Sequence, residues 1–188
     1  MSASKRITLG SGNLYLIPYV DTVPDVETIC VEENLLGYIK GGATLEYAPT
    51  FYEAKDDLGY VQKTIITEET ATLKSGILTF NGNTLKTLCA TGRVTEDATK
   101  KLRTLKIGGV ANATGERYVI CFHHKDDVDG DIWVVIVGKN ESGFSLAFAK
   151  DAETVIDAEF KCLSQDNEGT LIKYIEKDSS ITTTTTED

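Results

Sequence analysis

The residues best suited to chemistry are two adjacent histidines, four cysteines and one dense run of carboxylates. His123 and His124 could bind a metal or carry protons near neutral pH. They end a run with strand character, Tyr118 to His124, so they face opposite sides and cannot easily share one ion. Cys30, Cys89, Cys121 and Cys162 stand alone, with no C-x-x-C pair of the kind that zinc sites usually use. Each lies among apolar neighbours, as in Val119-Ile120-Cys121-Phe122, which predicts four buried free thiols acting as small hydrophobes. Two disulfides in an exported chain is the alternative. No apolar stretch follows Met1-Ser2-Ala3-Ser4-Lys5-Arg6, so a signal peptide is not expected and a reducing compartment is favoured.

Asp126-Asp127-Val128-Asp129-Gly130-Asp131 invites comparison with a calcium-binding loop. Aligning Gly130 with the invariant glycine puts Lys125 at the first ligand and Ile136 where a bidentate Glu belongs, so the match fails and an acidic hairpin turn is expected. Gly10-Ser11-Gly12 lacks the third glycine and the helix of a dinucleotide site, and there is no Walker A loop or G-x-S-x-G elbow. Asn112-Ala113-Thr114 and Asn140-Glu141-Ser142 are glycosylation sequons, which carry little meaning in a chain that is not exported. Carboxylates are plentiful, but no arrangement nominates a catalytic pair. The expectation is therefore a non-enzyme, with no catalytic, cofactor-binding or metal site.

The elements that would position any site are mostly strands. Leu14 to Ile17 reads as a short buried strand ending at Pro18, and the acidic residues 21–34, with Pro24, read as a loop. Two long extended runs follow, Ala43 to Asp57 and Val61 to Phe80, joined by the turn signal Asp56-Asp57-Leu58-Gly59. Both alternate: Thr44 and Glu46 against Leu45 and Tyr47, then Glu68, Thr70, Thr72 and Lys74 against Ala71 and Leu73. Pro49 suits an edge, a bulge or a bend. A helix is predicted over residues 83–90, with Asn83 as N-cap and Gly92 ending it in a left-handed conformation. Thr95-Glu96-Asp97 reads as a possible second helix start. Further strands are expected at Leu102 to Ile107, Tyr118 to His124, Ile132 to Val137, Phe144 to Ala149, Val155 to Leu163 and Leu171 to Ile175. Trp133 lies in Asp131-Ile132-Trp133-Val134-Val135, a setting for core or interface burial. One domain over residues 1–177 and a Thr-rich, flexible tail at 178–188 complete the outline.

With 188 residues, 41% of them hydrophobic, the chain can bury a sizeable core. Its 29 acidic against 19 basic residues give −10, which argues against a protein held on nucleic acid by basic contacts. No apolar run approaches the roughly 18 residues of a membrane span. The charge is uneven. Residues 21–57 hold nine acids and two bases, residues 61–110 four and eight, and residues 116–188 sixteen and seven. Acidic flanks around a basic middle suit head-to-tail association of identical copies.

One stretch, residues 33–90, supports a sharper expectation. Gly37-Tyr38-Ile39, Gly41-Gly42-Ala43-Thr44-Leu45-Glu46-Tyr47, Asp56-Asp57-Leu58-Gly59 and Lys74-Ser75-Gly76-Ile77-Leu78-Thr79-Phe80, running into a helix at Leu85, resemble in order and spacing the major tail tube proteins of long-tailed bacteriophages of Gram-positive hosts. The resemblance covers about a third of the chain. It implies a mainly β fold, a β-sandwich or barrel with one short flanking α-helix, like that of secretion-system tube proteins. It implies six-membered rings that stack into a hollow tube for genomic DNA, with inner strands closing one barrel around the lumen. The implied partners are other copies of the chain, tape-measure, tail-tip and tail-terminator proteins, and double-stranded DNA in transit. The implied location is the virion tail, after the host cytoplasm and without a membrane.

On that reading the lumen-facing residues are Thr44, Glu46, Glu68, Thr70, Thr72 and Lys74. An acidic lumen would repel phosphate and let DNA slide, and Lys74 cuts against that. The acidic loop at 21–42, with Glu32 and Glu33, and the basic stretch 93–106, with Lys100, Lys101 and Arg103, are the expected inter-subunit or inter-ring surfaces. The alternatives are the tube of a contractile tail, bacteriocin or injection machine, a monomeric β-sandwich binding module, and an enzyme with a dispersed acidic site.

Overall fold

Runs of β-branched and aromatic residues separated by Gly, Asn and Asp give a mainly β chain, and in the computed structural model residues 7, 8, 10–178 and 181 are described. The strands are β1 (Asn13–Pro18), β2 (Leu35–Gly37), β3 (Ile39–Lys55), β4 (Gln62–Ile77), β5 (Arg93–Asp97), β6 (Leu102–Lys106), β7 (Tyr118–His124), β8 (Ile132–Asn140), β9 (Ile156–Leu163) and β10 (Ile172–Glu176). Two short helices accompany them, α1 (Val26–Ile29) and α2 (Gly82–Thr87). Eight strands form one antiparallel sheet in the order β2-β1-β7-β8-β9-β4-β3, with β10 on β8, and β5 and β6 form a separate hairpin.

The sheet branches at β8. One edge of β8 pairs with β7 along its length, while the other is divided between β10 at Ile132–Ile136 and β9 at Val137–Asn140. β7 and β8 are consequently buried on both faces, which is why they read as unbroken apolar runs rather than as alternation. One face carries Ile120 and Ile136 into a core with Leu14, Leu73, Ile156 and Phe160. Leu14 and Leu73 meet there although three strands separate theirs in the sheet order, so the sheet curls over its own face in the manner of a sandwich or barrel. The opposite face carries Val119, Cys121 and Val135 against Val26 and Ile29 of α1, with Trp133 half-buried beside them. Each fully buried side chain of this kind contributes about 1.5–3 kcal/mol by leaving water.

Local signals were overridden at several points. The N-cap of α2 is Asn81, not Asn83. Its Oδ1 accepts from the backbone N–H of Asn83 (2.8 Å) and Thr84 (3.2 Å), and Thr84 Oγ1 returns the contact to the Asn81 N–H. Gly92 is not left-handed; a Cβ there would come within 3.1 Å of the Lys86 Cα, so close approach explains it. Residues 95–97 are strand, not a helix start, because Val94 and Glu96 pair with Leu105 and Arg103 across the hairpin. Residues 144–149 form no strand: Phe144 and Leu146 pack on the core, but β9 is already paired with β8 and β4. The 21–34 segment, expected as a loop, contains α1 and a 3-10 turn at Glu32–Asn34. Most of the Thr-rich end lies outside the described residues.

Candidate functional site

The hairpin of β3 and β4 is the most unusual feature of the molecule. Its strands are 17 and 16 residues long, and β9 flanks β4 only from Thr72 to Ile77. Among the described residues, from Tyr47↔Ala71 to Lys55↔Gln62 the two strands bond only to each other and project as a two-stranded arm. At about 3.3 Å per residue its length is roughly 30 Å. At the root Gly41 and Gly42 sit at φ +82° and +78°, which lets β3 accommodate two extra residues between its pairs Lys40↔Gly76 and Ala43↔Ser75. Farther out Thr67 is the extra residue, and its Oγ1 donates to the Thr50 carbonyl (3.2 Å).

Cross-strand pairing sorts the proposed lumen residues. Thr44 opposes Lys74, Glu46 opposes Thr72, Thr70 opposes Ala48, and Glu68 opposes Thr50. All six therefore lie on one face, as the alternation predicted. The other face carries Leu45 and Tyr47 over Leu73 and Ala71, continuous with the core, and extends outward to Phe51 over Ile66. Phe51 is 57% exposed. The tip is apolar too: Leu58 and Tyr60 are 76% and 83% exposed, and Tyr52 opposes Ile65 on the otherwise polar face. A lone two-stranded ribbon is marginally stable in water, and apolar surface on such an arm marks a contact site.

The polar face is mixed in charge rather than acidic. Lys74 Nζ lies 2.8 Å from Glu46 and 3.9 Å from Glu159, so the one cation that conflicted with an acidic wall sits between two carboxylates. The hydrogen bond from Lys74 holds the Glu46 carboxyl below its usual range, and the same bond raises Lys74. Asp157, Glu159 and Lys161 continue the face on β9, and Glu141 bridges Lys139 (3.0 Å) and Lys161 (3.8 Å). On the apolar face Tyr47 donates to Glu69, and this contact raises the Tyr47 hydroxyl.

The proposed inter-subunit residues do not form one patch. Glu32 and Glu33 are exposed on the 3-10 turn, whereas Lys100, Lys101 and Arg103 belong to the β5–β6 hairpin. Among the described residues no ion pair joins the two groups. The basic stretch is partly neutralised within its own hairpin, by Lys100–Asp97 (3.6 Å) and Arg103–Glu96 (2.7 Å). Lys101 sits in the turn at φ +54°.

The chemistry-bearing residues have structural partners. His123 meets Asp131 (3.0 Å) and stacks on Trp133 at 5.0 Å, while His124 Nδ1 donates to the Ser11 carbonyl (2.7 Å). The 126–131 run is a hairpin turn. Asp126 Oδ1 accepts from Val128 and Asp129, and Asp131 Oδ1 accepts from Asp126. Gly130 has φ +92°, and a Cβ there would lie 2.4 Å from the Lys177 carbonyl. No group of three or more His, Cys, Asp or Glu is placed to hold a metal ion among the described residues. The four cysteines are free thiols as expected, but only two of them are fully buried. Cys121 and Cys162 are buried, Cys30 and Cys89 are half-buried, and the sulfurs of Cys30 and Cys121 are only 3.5 Å apart. Nothing in the spacing of residues 30 and 121 signals that pairing, whereas the apolar arm tip was visible in Leu58-Gly59-Tyr60-Val61.

No protein-family model and no curated protein matches the chain. Among the described residues no helix is long and apolar enough to cross a membrane.

Proposed function

We propose that the chain is a non-enzymatic structural protein that polymerises into a tube, of the kind formed by the major tail tube proteins of long-tailed bacteriophages. The observation that carries this reading is the two-faced β3–β4 arm. Its apolar face continues the core beyond the last strand able to cover it, and its opposite face is polar. A second copy is the natural occupant. The outer edge of β3, unpaired among the described residues, can accept a strand, and the apolar face can close over a neighbour's core. Repetition around a closed ring would leave no edge unpaired. The polar face, carrying Thr44, Glu46, Glu68, Thr70, Thr72 and Lys74, would then line the lumen. Its near balance of charge gives DNA few fixed cations to hold it, since every net phosphate contact would retard passage.

On this reading the protein assembles in the host cytoplasm and ends in the virion tail, meeting tape-measure, tail-tip and tail-terminator proteins. Negative-stain microscopy of the purified protein, with light scattering on the same sample, tests the proposal. Rings or hollow tubes are expected, alone or after addition of tail-tip extract. A persistent monomer under both conditions would transfer the weight to a monomeric binding module.

A further inference from the structure

We propose that Cys30 and Cys121 form a reactive dithiol, a modification site that takes a low-molecular-weight disulfide of the glutathione type and closes into an intramolecular disulfide. The two sulfurs are 3.5 Å apart, already in contact and without an intervening group. They belong to different kinds of element. Cys121 is fully buried in the middle of β7, fixed by its pairing with Tyr15 of β1 and Val135 of β8. Cys30 is half-buried and closes α1, a four-residue helix with no side-chain cap. The movement needed to bring the sulfurs to bonding distance thus falls on the weakly held partner. Cys121 shares its sulfur contact with Cys30, and this contact draws the Cys30 thiol below its ordinary value while raising Cys121. Of the two, only Cys30 keeps exposed surface that a reagent can reach, which makes it the attacking group and Cys121 the resolving one.

The reaction balances in two exchanges. The Cys30 thiolate attacks one sulfur of the reagent disulfide, forming a mixed disulfide and expelling one thiolate. Cys121 then attacks the Cys30 sulfur, the second reagent thiolate leaves, and it takes up the Cys121 proton. The protein is oxidised by two electrons and the reagent is reduced to two thiols. The product fastens the acidic 21–34 segment, with Glu32 and Glu33, to β7. Such a bond would remain open in a reducing cytoplasm and close outside it.

The test is exposure of the folded protein to glutathione disulfide, followed by thiol counting, intact mass and peptide mapping. Titratable thiols are expected to fall from four to two, with loss of two hydrogens and a single Cys30–Cys121 cross-linked peptide that dithiothreitol reverses. The Cys121→Ser variant should stop at a glutathione adduct on Cys30, and the Cys30→Ser variant should keep all its thiols. A folded wild-type chain that does not react, that retains the adduct, or that links Cys89 or Cys162 instead would overturn the proposal. The wild-type mapping stands even if a variant fails to fold.

Discussion

The two histidines and the carboxylates of residues 126–131 make contacts that hold turns and strands in place, and their energetics are local. Asp131 accepts from the Asp126 N–H and contacts His123; the backbone bond leads in holding its carboxyl below the usual range, with His123 adding to it. A carboxylate depressed in the folded state contributes stability that is present above its unfolded value, near 4. That contribution is lost as the pH falls through the lower folded value. Asp131→Asn should therefore cost about 1–2 kcal/mol at neutral pH and flatten the loss of stability as the pH falls below about 4, as read by urea denaturation across pH. The sequence revealed this turn but not its wiring, because Asp126 and Asp131 act through backbone atoms that a composition cannot assign. Cys30 and Cys121 make the same point more sharply, since 91 positions separate two touching sulfurs.

Among elements, α2 and the arm make opposite demands on sequence. The helix was legible from the apolar stripe Leu85, Leu88 and Cys89, but Asn81, Asn83 and Thr84 compete for the cap, and Asn81 takes it because its backbone is extended and its side chain accepts from the N–H groups of Asn83 and Thr84. Asn81→Ala should lower stability by about 1 kcal/mol in thermal or chemical unfolding, while Asn83→Ala should leave it within about 0.5 kcal/mol. The arm was legible as two long alternating runs because period-2 patterning survives in each strand by itself. Its isolation was not, since that depends on where β9, eighty residues later in the chain, stops pairing with β4. Phe51→Asp combined with Ile66→Asp should leave the unfolding midpoint of the isolated chain nearly unchanged, because both residues are exposed there. On the proposed function, the same pair should abolish the rings or tubes that negative-stain microscopy is expected to reveal. Unimpaired assembly would remove the arm's apolar face from the interface.

For the whole molecule, fold class followed from short strands and regular turn signals, and the structure is mainly β as expected. The strand order was not accessible, because pairing of β1 with β7 or β4 with β9 leaves no local trace. Electrostatic association also belongs to this scale. On the proposed function the regional charges would favour head-to-tail contact, and Lys101 is a better probe of it than Lys100, whose charge is already shared with Asp97. Lys101→Glu should weaken assembly by light scattering at low ionic strength, with the difference vanishing toward 1 M salt, where the screening length is about 3 Å. An equal defect at every salt concentration would point to disrupted packing.

The order in which the sheet is threaded also sets a schedule for the newborn chain. β1 waits for β7, about 110 residues behind it, and the β3–β4 hairpin is complete before β9, which pairs with its base, has been made. At a translation rate of roughly 5–20 residues per second, that interval lasts on the order of 5–20 seconds. During it the stickiest ribbon in the molecule hangs outside the ribosome with nothing native to fold against. Crowded neighbouring polysomes are then the place where premature tangling would begin, and a holding chaperone would be most useful before residue 163 emerges.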